Sequence, residues 1–238
     1  MSNLLKFKSR QQPFEIKNKS ATKAEIVLYG AIGTSWFEDA ISAKQFSEEL
    51  KKLDATVNEI ELRINSPGGD VFDGFAIYNR LKQHPAKVTC YVDGLAASIA
   101  SLIVLAADEV IMGEGALYMI HLPWTMSYGN RMDFDNTVNR LMDIEEQMIS
   151  IYSKKTKMSR GEIRDMLEKE TWLDANQAME MGFVDSKSED TIPVAASAIE
   201  KASWINKKPK LTTKEDLVKQ EIENLKNRVT GFLARDKK

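Results

Sequence analysis

Two histidines and one cysteine are all this 238-residue chain holds of the side chains that most often bind metals or close disulfides. The cysteine, Cys90, sits at an alternating apolar position in Val88-Thr89-Cys90-Tyr91-Val92. It has no internal disulfide partner and no companions at metal-ligand spacing, so core packing is its expected role. Long apolar runs are missing as well. The longest, Leu95 to Ala107, carries two serines and falls short of the ~20 residues that span a bilayer. Met1 to Lys8 lacks an apolar segment followed by a small-residue cleavage site, so no secretory signal is read and a cytosolic setting is expected. Neither Gly-x-Gly-x-x-Gly nor Gly-Lys-Ser/Thr occurs, which removes the common phosphate-binding loops. No metal, cofactor or membrane partner is expected.

What is present suits an ordinary folded protein, with 43% hydrophobic and 29% charged residues. The net charge of −2 conceals a split. Residues 201–238 hold eleven Lys/Arg against five Asp/Glu, a balance of +6 that leaves −8 for residues 1–200. Because the basic residues of this tail are interleaved with acids, they read as a solvated helix face rather than a nucleic-acid surface.

Hydrophobic periodicity organises the rest. Glu25 to Gly30 reads as a strand and Ser42 to Leu53 as a helix, with Phe46, Leu50 and Leu53 on one face. Glu59 to Ile64 alternates as a strand, Asn65-Ser66-Pro67-Gly68-Gly69-Asp70 breaks it, and Phe72 to Lys82 resumes a helical period. Val88–Val92, Glu109–Met112 and Ala116–His121 are further strands, and Ala97–Ala107 a buried helix. This alternation predicts an α/β domain with a largely parallel sheet. Met132 to Tyr152 is a long amphipathic helix with Glu145 and Glu146 on its polar face, and its apolar stripe must be covered by something. Capping boxes at Ser159–Glu162 and Asp174–Gln177 announce two short helices. The expected division is an N-terminal segment 1–22, a catalytic domain 23–190, and a basic extension 191–238 with an amphipathic helix in 207–238.

A serine hydrolase needs a nucleophilic hydroxyl, an imidazole base, an acid to orient it, and N–H donors for an oxyanion. Ser98 follows Gly94-Leu95-Ala96-Ala97 at the start of a helix, where it serves either as nucleophile or as a plain N-cap. Ser101, one turn on, is expected to pack internally. His121 ends a strand twenty-three positions after Ser98 and is the candidate base, against a purely structural role. His84, at a helix end, is expected to complement the helix dipole and face solvent. The Ser66–Gly69 loop either lends an N–H to an oxyanion or is a simple β-to-α turn.

Taken together, Ile64-Asn65-Ser66-Pro67-Gly68-Gly69, Gly94-Leu95-Ala96-Ala97-Ser98, Met119-Ile120-His121-Leu122-Pro123 and Leu173-Asp174-Ala175 leading to Gly182-Phe183-Val184-Asp185 resemble the Clp protease proteolytic subunit family, over roughly residues 25–186. The resemblance implies the Clp-protease/crotonase-like superfold of repeated ββα units, and a ring oligomer whose two stacked rings meet through the helix Met132–Tyr152. It implies Ser98 as nucleophile, His121 as base, and the N–H groups of Gly69 and Ile99 as oxyanion donors. For the acid it points to position 170, where the family usually has aspartate and this chain has Glu170. Asp174 is the alternative, already engaged in its capping box, and Glu168 an outsider. The segment Trp124-Thr125-Met126-Ser127-Tyr128-Gly129 and the roughly fifty residues after Asp185 depart from the bacterial subunits and resemble phage and prophage head maturation proteases. That implies a capsid or scaffold protein as substrate and leaves an unfolding ATPase partner open. A catalytically inactive ring acting as scaffold is the alternative, and acyl-CoA hydratase or isomerase chemistry on the same superfold a remote one.

Overall fold

The computed structural model describes residues 14–33, 40–53 and 55–188. The helix expected in 207–238 and the boundary at 190/191 lie outside the described residues. The elements run β1 (Phe14–Asn18), β2 (Lys23–Tyr29), β3 (Ala31–Ile32), β4 (Ala40–Ile41), α1 (Ala43–Leu50), β5 (Glu59–Ser66), α2 (Val71–Lys82), β6 (Lys87–Ala97), α3 (Ile99–Val104), β7 (Glu109–Gly113) and β8 (Leu117–Ile120). They continue with α4 (Arg131–Thr156), α5 (Arg160–Glu168), β9 (Thr171–Leu173), α6 (Ala175–Glu180) and β10 (Ser186–Ser188).

The main sheet has the order β1-β2-β5-β6-β7-β10, parallel except for β1, which is antiparallel to β2. The sheet therefore begins before residue 23, and β10 extends it past Asp185. Strand alternation decides which face is core. Ile60, Leu62 and Ile64 of β5 and Val88, Cys90 and Val92 of β6 are buried at 0–2% exposure under the helices. Fully burying each such aliphatic side chain contributes about 1.5–3 kcal/mol. Cys90 is fully buried and its thiol pKa is pushed up by that burial, the signature of a packing residue.

On the opposite face of the same strands, Asp93 accepts hydrogen bonds from Tyr29 Oη at 2.5 Å and Arg63 Nε at 2.9 Å, and pairs with a second Arg63 nitrogen. Burial pushes Asp93 upward in pKa, while the Tyr29 and Arg63 bonds pull it back. This cluster pins the three central strands where β6 passes Gly94.

Beyond Gly94 the sequence suggests a turn into a helix, but β6 stays extended to Ala97 and changes neighbour. Thr89–Val92 pair with β7, whereas Leu95–Ala97 pair in parallel with β8. The strand is longer because Leu95, Ala96 and Ala97 are all buried and their backbone groups find ladder partners. The helix is correspondingly shorter than Ala97–Ala107. Strand β9, which carries no periodicity of its own, closes antiparallel on β8.

The long helix α4 is ~39 Å by its 26 residues. Only its last third is buried, through Met148, Ile149, Tyr152 and Thr156. Met132, Phe134, Val138 and Met142 stand 49–57% exposed. Its acidic residues Glu145 and Glu146 pair with Arg164 and Arg160 of α5. Both expected capping boxes form, at Ser159/Glu162 and Asp174/Gln177.

Candidate active site

The centre of the site is one residue of backbone. Ser98 N–H donates to the Met119 carbonyl at 2.9 Å, prolonging the β6–β8 ladder, and the next residue already begins α3. The whole reversal falls on Ser98, at φ 55° and ψ −131°. Such a conformation costs a non-glycine residue about 1–3 kcal/mol and persists only where the surroundings fix it. A strained serine at a strand-to-helix turn is also the way a hydrolase exposes a nucleophile. The N-cap alternative is removed by the side chain itself, which makes no capping hydrogen bond. Its Oγ lies 2.7 Å from Nε2 of His121 instead.

His121 follows β8 directly, and Leu122 N–H donates to the Leu167 carbonyl at 3.1 Å, so the chain is held on both sides of the imidazole. Burial lowers the His121 pKa below its ordinary value, and the Glu170 carboxylate partly restores it. At neutral pH the ring is therefore uncharged and able to accept a proton.

The acid side is set by register. Tyr118 pairs with Leu173, Met119 with Trp172 and Ile120 with Thr171, so Glu170 and His121 are the residues next beyond the ladder, and the Glu170 charge is near enough to raise the imidazole's pKa. Glu170 is at φ 51°, just past the end of α5, a left-handed position that helices usually give to glycine. Among the described residues only three non-glycines have positive φ, and two of them, Ser98 and Glu170, are here. The carboxylate accepts a hydrogen bond from Trp172 Nε1 at 3.3 Å. Asp174 is engaged as expected, accepting from Gln177 N–H at 2.8 Å. Glu168 closes α5 and is exposed.

The glycine loop lies against the serine. A Cβ on Gly68, at φ 89°, would fall 2.6 Å from the Ala97 carbonyl oxygen and 2.7 Å from Ser98 Cβ. The loop is anchored on β3: Ile32 N–H donates to the Gly68 carbonyl and Asp70 N–H to the Ile32 carbonyl, at 2.8 and 2.9 Å. That parallel bridge uses the groups flanking Gly69 and leaves the N–H of Gly69 directed away from it. Ile99 is the first residue of α3, so its N–H has no acceptor within the helix.

Ser101 is fully buried, as its apolar helix requires. His84 departs from the solvent-facing, dipole-complementing role: it is half-buried, its Nδ1 accepts from Ala86 N–H at 3.1 Å, and burial with nearby Arg80 lowers its pKa. Among the described residues no group of three or more His, Cys, Asp or Glu side chains is placed to hold a metal ion. None of the described helices is long and apolar enough to cross a membrane.

A profile of the Clp protease family matches residues 9–190. The chain belongs to the Clp protease family. It is 32% identical over 160 residues to the ATP-dependent Clp protease proteolytic subunit 1 of Chlamydia muridarum, covering 63% of this chain and 83% of that one. Against the subunit of the same name in Protochlamydia amoebophila it is 30% identical over 187 residues, 73% of this chain and 91% of the relative. A point mutant of ClpP1 from Listeria monocytogenes shares the fold at a TM-score of 0.61, with 24% identity over 71% of this chain and 92% of that chain. The architecture is thus the Clp protease α/β fold, and the family is one of serine peptidases. Trp172 is the site residue that reasoning from sequence passed over. Its signal was Thr171-Trp172, two strand-forming residues between two capped helices.

Proposed function

We propose that this chain is a serine endopeptidase in which Ser98 is the nucleophile, His121 the general base and Glu170 the orienting acid. The carrying observation is the 2.7 Å approach of Ser98 Oγ to His121 Nε2 from a strained, uncapped serine. In the reaction, neutral His121 takes the Ser98 proton at Nε2 as Oγ attacks the peptide carbonyl. The oxyanion is received by the N–H groups of Gly69 and Ile99. The imidazolium, steadied by the Glu170 carboxylate, returns its proton to the leaving amine. Water then attacks the acyl-enzyme through the same base and releases Ser98.

The exposed apolar half of α4, with Trp124, Met126 and Tyr128 exposed just before it, supports assembly into stacked rings of this chain. The finer setting, head maturation in a phage or prophage with a capsid or scaffold protein as substrate, rests on the Trp124–Gly129 segment and the basic extension. We take the enzyme to cleave unfolded or exposed segments without an ATPase, with partner assistance reserved for folded substrates. One observation favours the inactive-scaffold reading, the engagement of Glu170 by Trp172 rather than by His121. Hydrolysis of a fluorogenic peptide library separates the two. Turnover that vanishes in Ser98→Ala is expected; a wild-type ring with no turnover on any peptide would make the scaffold the better account.

A further inference from the structure

The hydroxyl of Ser101 takes no part in this chemistry, yet it is built into the site. Its Oγ lies 2.5 Å from the Ser98 carbonyl oxygen and 2.8 Å from the Tyr152 hydroxyl. Ser101 N–H donates to the same Ser98 carbonyl at 3.0 Å, and the Tyr118 hydroxyl donates to the Ser101 carbonyl. Ser101, Tyr118 and Tyr152 are all fully buried. A serine hydroxyl has one proton, and a carbonyl can only accept. The Ser101 proton therefore goes to Ser98, and Tyr152 must be the donor in its contact with Ser101. Burial pushes the Tyr152 phenol above its ordinary pKa, so that proton stays in place at working pH. The donors run one way, from α4 through α3 to the backbone of the nucleophile.

Peptide geometry gives this chain its use. The carbonyl of Ser98 and the N–H of Ile99 belong to one planar unit and point in opposite directions. Two donors on the carbonyl fix that plane, at a backbone conformation serine would not keep unaided. We propose that Ser101 and Tyr152 are positioning residues for the oxyanion donor, clamping the Ser98–Ile99 peptide so that the Ile99 N–H faces the acyl oxygen. The inference rests on the reading of Ser98 as nucleophile and Ile99 N–H as oxyanion donor.

Steady-state kinetics of two variants test it, with fluorophosphonate labelling rates alongside. Removing an oxyanion donor outright costs about 10²–10³ in kcat, and a mis-aimed donor should cost less: about 30-fold for Ser101→Ala and about 5-fold for Tyr152→Phe. KM should stay within about twofold in both, because the donor acts on the transition state. Labelling should slow in the same proportion, since the phosphoryl oxygen occupies the oxyanion position. The double variant should be no worse than Ser101→Ala alone, because both changes break one chain of bonds. The acid limb of the pH profile, set by His121, should not move. Tyr152→Phe keeps the ring shape and carries the test if Ser101→Ala fails to fold. An active wild type beside a folded Tyr152→Phe of unchanged kcat and labelling rate overturns the inference alone, as do losses that appear in KM or that add in the double variant. A wild type that neither cleaves nor labels overturns the protease reading and the inference with it.

Discussion

The two sides of the site are built to different standards. Ser98 is tethered through its N–H, through its carbonyl twice, and through its hydroxyl to a half-buried imidazole. Glu170, next beyond the β8–β9 ladder, is exposed and held by a single 3.3 Å bond from Trp172. The serine side is thus fixed by this chain's own core, whereas the acid side retains freedom to move. A glutamate is one methylene longer than an aspartate, so it has more rotamers to lose before it can orient His121. On the proposed roles of Ser98, His121 and Glu170, the difference means that the serine and histidine are preorganised and that position 170 is where activity can be tuned.

Variants can break or sharpen this contrast, and the largest losses belong to the serine side. Ser98→Ala should lower kcat by about 10⁶, the scale of losing a serine protease nucleophile. Ser98→Gly should abolish activity equally while raising stability by about 1 kcal/mol, because glycine accepts the positive φ without strain. Thermal melts beside the activity assay would show the two effects moving in opposite directions. Gly68→Ala, whose added methyl meets the Ala97 carbonyl and Ser98 Cβ, should cost at least about 10²-fold in kcat, since small displacements of the reacting groups have that scale.

On the acid side the effects are smaller and carry a pH signature. Glu170→Gln should reduce kcat/KM by about 10²-fold, less than for a fully buried triad acid. Wild-type activity requires neutral His121, so its acid limb lies below the ordinary histidine pKa of about 6.5, lowered by burial. The Glu170 charge raises that pKa, and removing it should shift the limb to still lower pH even as the rate falls. A limb that moves upward, or stays fixed, would take Glu170 out of the site. Trp172→Phe should change kcat by only about 2–5-fold, near the low end for a hydrogen bond, because the 3.3 Å contact to an exposed carboxylate is long and orients rather than reacts. Smallest of all, Asp174→Asn should leave activity within about twofold, because asparagine caps α6 nearly as well as aspartate. A large loss there would reassign the acid.

Much of the fold could be read from the residues. The alternation in Glu59–Ile64, the apolar face of Phe46 and Leu50, and both capping boxes are local signals, and each reappears in place. The proximity of Ser98 and His121 is another matter. It depends on β6 running on to Ala97 and taking β8 as a neighbour, a tertiary choice; the family resemblance anticipated the two residues acting together but not this strand pairing. Position 170 was favoured by that resemblance and by the commitment of Asp174 to its cap. The register that sets Glu170 and His121 just beyond one ladder needed β9, three residues too short to show a period. The same holds for Tyr152, whose apolar neighbours marked it as core but gave no hint of its bond to Ser101. Side-chain networks among distant elements leave no periodicity to read.

The central claim is that Ser98 is an activated nucleophile, and covalent labelling reads it out directly. The protein is incubated at neutral pH with a fluorophosphonate and digested, and the modified peptide is mapped by mass spectrometry. The account predicts a single phosphonyl adduct on Ser98, absent from Ser98→Ala and slowed at pH values that protonate His121. No adduct on the assembled wild-type protein, or an adduct on another serine that persists in Ser98→Ala, would contradict it.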